Sequence, residues 1–227
     1  MLKKTLLILS QTTVFMLLAS VLTVATYSVI NPPLTPVMIV NSVTAIFSDE
    51  NIIPEKQWVA YEDISPNFFH AVLAAEDARF MRHKGFDWKA IEHARKYNER
   101  HAGKRKHGAS TVTMQTAKNT FLLHQRNYIR KGLEAWFTVL IEALWQKRRI
   151  LEVYANVIEF GDGLYGVEAA SRKYFKKSAK KLSRRQASLL AAVLPNLHHW
   201  SPAKPSRYIL RRAATIRARM NSVPIPK

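Results

Sequence analysis

Two glutamates carry the first suggestion of chemistry. Glu76 follows Phe69 by seven residues, Val72 by four and Leu73 by three, so a helix through this stretch puts its carboxylate on or beside an apolar stripe. Desolvation there raises a carboxylate toward the range of a general acid or base, whereas pairing with Arg79 or a nearby amide would leave it an ordinary side chain at the stripe's edge. Glu134 lies just off the stripe of Leu133, Trp136 and Leu140, with Arg130 four residues and Lys131 three residues before it. On a helix either cation reaches it, and taken alone the group is an ion pair. Between the two, Gly108-Ala-Ser-Thr-Val-Thr-Met-Gln-Thr-Ala-Lys-Asn119 leads small and hydroxyl residues into a helix start, with Gln115 and Lys118 spaced for one face. Free amides and hydroxyls at such a start suit an anionic or sugar ligand, and a capped helix with no ligand fits the same residues. The Gly-Lys-Ser/Thr of a nucleotide-binding loop is missing. His83, His107, His198 and His199 lack the spacing of a zinc helix and have no Cys beside them, which favours solvated or structural roles.

The elements that must position these groups read as mainly α. Ser65-Pro66 has the form of a helix start, with Phe69, Val72, Leu73 and Phe80 following at helical spacing. Asp87 is placed to cap a second helix to about residue 100, and 101–107 is a basic loop with one Gly. A helix is expected over 110–123. Leu133, Trp136, Phe137, Leu140, Ile141 and Leu144 form a long apolar stripe that reads as core. Residues 150–158 are a further helix, broken at Gly161-Asp162-Gly163. Ser183-x-x-Gln186 is a capping box before an apolar run ending at Pro195, and a basic helix covers about 206–220. No stretch alternates with a period of two. Residues 34–64 show no clear period and read as a membrane-proximal linker to a domain at 65–227.

Composition places the chain. Its 227 residues suit one domain plus an anchor, and 48% hydrophobic residues suffice for a core. Cysteine is absent, which excludes disulfides, a thiolate nucleophile and Cys-ligated metals. Residues 5–30 carry no charge, long enough to span a bilayer and longer than the apolar region of a cleavable signal, the competing reading. Lys3 and Lys4 set the cytoplasmic side, so 1–33 is expected to be a signal anchor ended by Asn31-Pro32-Pro33, with the rest outside the cytoplasmic membrane. The net charge is +19, and the last 59 residues hold 15 Lys and Arg and no acid. Such a tail calls for an anionic partner: nucleic acid, anionic lipid or a phosphorylated substrate. The anchor argues against nucleic acid and for a membrane surface or lipid-linked phosphate.

Four stretches then fall into one order: Glu76-Asp77-x-x-Phe80-x-x-His83-x-Gly85, Gly108-x-Ser110-Thr111-x-x-x-Gln115, Arg130-Lys131-x-x-Glu134, and Lys147-x-x-Ile150-x-x-x-Tyr154-x-Asn156. Together they resemble the motifs of the peptidoglycan glycosyltransferases, which polymerise lipid II into glycan strands. The similarity runs over about 59–202. The segments at 159–170 and 187–196 resemble the monofunctional branch, and no penicillin-binding domain is expected in the short remainder. Met114 stands where the family often has the first of two glutamines, which removes one polar contact. Ala109, Ala155, Gln186 and His198-His199 also depart from the usual residues, and none of these changes touches the glutamates.

The resemblance implies a lysozyme-like α fold with a larger lobe, a smaller membrane-facing lobe and a cleft between them. It implies catalytic roles for Glu76 and Glu134. It implies substrate binding by Ser110, Thr111, Gln115, Lys118, Arg126, Arg130 and Lys131, with cations rather than a proton donor serving a pyrophosphate leaving group. A divalent cation, Mg or Mn, near Glu134 would do the same work. The implied partners are lipid II, the growing glycan strand, membrane lipids, and cell-wall synthesis or division proteins, with no nucleic acid. The implied location is the bacterial inner membrane, single-pass, with the catalytic domain periplasmic. Competing readings are a lysozyme-like glycan hydrolase, which would need neither lipid nor a cation cluster, and an anchored scaffold that binds anionic lipid.

Overall fold

The computed structural model describes residues 2–47, 54–101, 107–125, 127–197 and 199–226, the side chain of Leu2 excepted. Helix α1 (Leu2–Tyr27) is apolar over a length sufficient to cross a membrane and is almost bare of protein contacts along most of it. Its last turns are an exception. Val24 is fully buried, Trp145 Nε1 donates to the Val24 carbonyl (2.7 Å) and Trp136 Nε1 donates to Ser20 Oγ (3.0 Å). Tyr27 stacks on Phe121, which stacks in turn on Phe137. Arg149 donates to the carbonyls of Tyr27 and Ile30, and Lys56 to those of Pro32 and Pro33. The helix ends before the prolines, and its exit is held by side chains from the rest of the fold.

The described parts of the segment expected as a linker, 34–47 and 54–64, contain regular elements. Helix α2 (Pro36–Phe47) buries Val37 and Met38 against Tyr165, and Asn41 Nδ2 donates to Tyr165 Oη (2.7 Å). Being apolar nearly all round, it offers no helical period to read. Strand β1 (Glu55–Lys56) follows, paired in parallel with β3 (Leu164–Tyr165), which pairs antiparallel with β2 (Glu159–Gly161). These strands are too short to show alternation, so they escape a reading by period. Asn156 extends the contact by exchanging two hydrogen bonds with the backbone of Val59 (2.9 Å each).

Beyond the linker, the caps expected at Ser65, Asp87 and Ser183 are present. Helix α3 (Pro66–Glu76) starts at Ser65, whose hydroxyl accepts from Asn67 N–H. It ends sooner than its apolar stripe suggests, and Phe80 lies in a separate tight turn, fully buried. Asp87 accepts from Ala90 N–H to start α4 (Trp88–Arg100). Thr111 caps α5 (Val112–Phe121), and Asn127 caps α6 (Tyr128–Leu144). After α6 come α7 (Lys147–Val157) and α8 (Val167–Phe175), the latter not anticipated. Ser183 and Gln186 form the capping box of α9 (Arg184–Val193), and Ser206 caps α10 (Arg207–Arg219). Most of the predicted loop at 101–107 lies outside the described residues.

Two helical groups share the core. Helices α3, α9 and α10 pack on one another, and α5 packs on α6 and α7, with α1 against α6 and α2 against α5. Phe68, Phe69, Leu73, Ile150, Leu151, Tyr154 and Leu190 fill the space between them. The stripe on α6 is only partly core. Ile141 is fully buried, Trp136 meets α1, and Leu133 and Leu144 stay exposed.

Candidate active site

Glu76 is the last residue of α3, so its side chain leaves the packed stripe where the helix stops. The next residue fixes that exit. Asp77 accepts from Val112 N–H (3.0 Å) at the start of α5 and contacts His83 Nε2 (2.9 Å) with its other oxygen. Gly85 adopts φ +82°, and a Cβ there would lie 2.7 Å from Thr138 Cγ2, so the loop returns through a position open only to glycine. Its carbonyl accepts from Thr111 Oγ1 (2.5 Å). Lys147 donates to the His83 carbonyl and to Glu142, which also accepts from Thr113. The loop 77–85 is thereby stitched to the first turn of α5, and Gln115, one turn on, meets Glu76.

Gln115 Nε2 donates to Glu76 Oε2 (3.0 Å), and Tyr154 Oη donates to Gln115 Oε1 (3.4 Å). On the other side, Arg212 Nη2 of α10 stands 3.7 Å from Glu76 Oε1. Burial pushes the Glu76 carboxyl above its usual range, opposed by the Gln115 hydrogen bond and the Arg212 charge. The result is a carboxylate that gains a proton more readily than one in water. Arg79 is paired with Asp87 instead, so the partners of Glu76 are the Gln115 amide and, at longer range, the Arg212 guanidinium.

A cleft of about 430 Å³ opens in front of Glu76, lined also by Gln115, Lys118, Arg130 and Glu159. Burial lowers the Lys118 ammonium below its usual value, with Glu134 opposing and Arg130 and Lys131 adding to the effect. Among the described residues Lys118 forms no ion pair. Glu134 is buried behind the cleft. Arg130 Nη1 donates closely to one of its oxygens and Lys131 Nζ (2.5 Å) to the other. Lys131 also lies 3.4 Å from Ser110 Oγ, which is exposed at the cleft's edge.

The structure thus brings Glu76, Gln115, Lys118 and Arg130 to one cavity, with Glu134, Lys131 and Ser110 adjoining it. Thr111 is not there. It is buried, and its hydroxyl is committed to the cap of α5 and to Gly85. Met114 is buried too, on the core side of α5. Arg126 and His198 lie outside the described residues. His83 is structural, beside Asp77, and the His107 ring packs on Tyr97. Arg212 is the residue that sequence reasoning missed. It stands far along the chain from Glu76 in a helix whose basic residues look alike. A divalent cation at Glu134 would have to displace both Arg130 and Lys131, and no group of three His, Asp or Glu among the described residues is placed to hold a metal.

A helical, lysozyme-like fold with a desolvated carboxylate facing cations across an open cleft defines a glycosyl-transferring protein. The transglycosylase family model matches residues 45–221. A biosynthetic peptidoglycan transglycosylase of Bdellovibrio bacteriovorus is 55% identical over 201 residues, covering 88% of this chain and 79% of the relative. Proteins of the same name from Pseudomonas fluorescens and Shewanella oneidensis are 50% and 48% identical, over 91% and 90% of the chain and 85% and 86% of their own lengths. The chain belongs to the transglycosylase family and is a glycosyltransferase. These relatives are named for synthesis, so the glycan-cutting alternative is not favoured.

Proposed function

We propose that this glycosyltransferase polymerises lipid II into β-1,4-linked glycan strands, releasing undecaprenyl pyrophosphate. One observation carries the reading: a desolvated carboxylate, Glu76, opens on the same cleft as Lys118, a cation with no ion pair among the described residues. The sugar 4-hydroxyl is a poor nucleophile until its proton leaves. Glu76 takes that proton as general base, with Gln115 donating to one carboxylate oxygen and Arg212 standing beside the other. The freed oxygen attacks C1 of the lipid-linked donor from the face opposite the leaving group, so the α-linkage inverts to β. The C1–O bond electrons depart with pyrophosphate. Lys118, Arg130 and Lys131 stabilise the charge that develops there. Glu134 acts through the last two, whose side chains it holds in place.

The substrate's polyprenyl chain requires the cleft to open near a bilayer. Helix α1 supports anchorage in the bacterial inner membrane, with Lys3 and Lys4 cytoplasmic and the catalytic domain periplasmic. Membrane lipids and other cell-wall or division proteins are the partners this placement allows. The test is incubation of the purified chain with labelled lipid II in detergent. A ladder of polymer is expected. Absence of polymer together with cleavage of preformed glycan would establish the hydrolase reading instead.

A further inference from the structure

A second groove lies beside the active cleft. It has a volume of about 410 Å³ between α3 and α10, and Ala74, Ala75, Tyr208, Arg211, Arg212 and Arg219 are among its lining. The small side chains of Ala74 and Ala75 leave the space open. Ala75 immediately precedes Glu76, and Arg212 both lines the groove and faces the Glu76 carboxylate. A substituent on a sugar held at Glu76 therefore lies within one residue's reach of the groove's edge at Ala75 and Arg212.

The groove is cationic without internal compensation. No acidic residue follows Glu168 in the sequence. Among the described residues Arg211 and Arg219 form no ion pair, and Arg212 Nε is buried with no hydrogen-bond partner. Other basic groups nearby are structurally engaged, as when Arg184 donates to Asn221 Oδ1 and to the Arg217 carbonyl. Arginine presents a planar fork that matches a carboxylate with two parallel hydrogen bonds. Helix α10 packs on α3 and α9, whereas the anchor α1 packs on α6, which favours a water-borne substituent over a lipid headgroup.

We propose that the α3–α10 groove binds carboxylates of the peptide borne by the glycan in the cleft, through Arg211, Arg212 and Arg219. This rests on the peptidoglycan reading of the active cleft, because a bare neutral sugar chain would bring no anion to it. Glu76 and an incoming carboxylate then share Arg212, while Arg211 and Arg219 serve the groove alone.

The experiment measures binding of a soluble disaccharide–pentapeptide, and of the same molecule with its carboxylates amidated, to the full chain in neutral detergent. Each partly exposed ion pair contributes up to about fivefold, so with two or more pairs the acidic form is expected to bind roughly 2- to 25-fold more tightly. The preference should shrink as salt rises. Arg211→Gln with Arg219→Gln should cut it to the share left to Arg212 without changing the melting temperature. Equal binding of the two forms, a preference insensitive to salt, or one undiminished by the double substitution overturns the proposal. Polymer formation from lipid II by the unaltered chain is scored separately, so failure of the catalytic reading and failure of the groove are distinguishable.

Discussion

Glu76 combines a functional need with a structural cost. Burial raises its pKa in the folded chain, so the folded state holds a proton over a range in which the unfolded chain has lost it. The sign follows: this group's contribution is most favourable at low pH and declines as pH climbs from the ordinary glutamate value through the raised one. Glu76→Gln keeps size and hydrogen bonding but cannot accept the proton. Polymerisation should fall at least about a hundredfold. The same change removes a desolvated charge, and the melting temperature should rise by about 2–4 °C for each kcal/mol recovered. Scanning calorimetry beside the polymer assay checks both, and a folded variant with normal turnover would end the assignment. The cations divide in the same way. Lys118 has no ion-pair partner among the described residues, so Lys118→Ala should cost about 1.5–3 kcal/mol in turnover, roughly 10–150-fold, with stability unchanged or higher. Lys131 neutralises buried Glu134, so Lys131→Ala should lower activity and melting temperature together. Parallel rate and melting measurements on the two variants separate a substrate contact from a structural pair.

At the level of elements, much of the fold was legible where a single local interaction defines it. Ser65, Asp87 and Ser183 each cap a helix through a hydroxyl or carboxylate within three residues, and spacing alone reveals them. Helix α2 was hidden because it is apolar on nearly every face, and the three strands because each is only two or three residues long, with β1 in addition pairing to a segment far along the chain. The active site divides likewise: Glu76, Gln115 and Lys118 lie in motifs, while Arg212 and the commitment of Thr111 to a cap depend on tertiary packing. The anchor shows the same limit. Composition marks an apolar span but not that Val24 and Tyr27 belong to the domain's core. Deleting residues 2–18 should therefore leave the melting temperature in detergent nearly unchanged. Deleting through residue 30 should lower it by several degrees, since burial of a side chain such as Val24 contributes about 1.5–3 kcal/mol and Arg149 also loses its carbonyl acceptors. Equal stability of the two truncated chains would show that the anchor is a passive tether.

Over the whole molecule, charge and apolar surface have different destinations. The net charge of +19 suggests attraction to anionic lipid, yet α10, which carries Arg207, Arg211, Arg212, Arg217 and Arg219, packs on the helices that do not bear the anchor. Apolar exposure instead gathers on elements next to the span. Val43, Ile46 and Phe47 project from α2, with Ile46 at 76% and Phe47 at 86% exposed, while Val37 and Met38 on its other face are buried. Seating one such side chain in the acyl boundary is worth about 1.5–3 kcal/mol at any salt concentration. A Lys or Arg near an anionic surface adds about 1 kcal/mol, and salt screens that within roughly 8–10 Å. A chain lacking residues 2–18, which retains the packed end of α1, should accordingly sediment with neutral liposomes in low and high salt alike, with a modest, salt-sensitive gain on anionic ones. Ile46→Ser with Phe47→Ser should reduce sedimentation with neutral liposomes at least about tenfold and leave the salt-sensitive increment in place. If that variant bound neutral liposomes normally, α2 would not be the membrane-seated face. If the truncated chain bound only anionic liposomes and was released by salt, docking would rest on the basic surface.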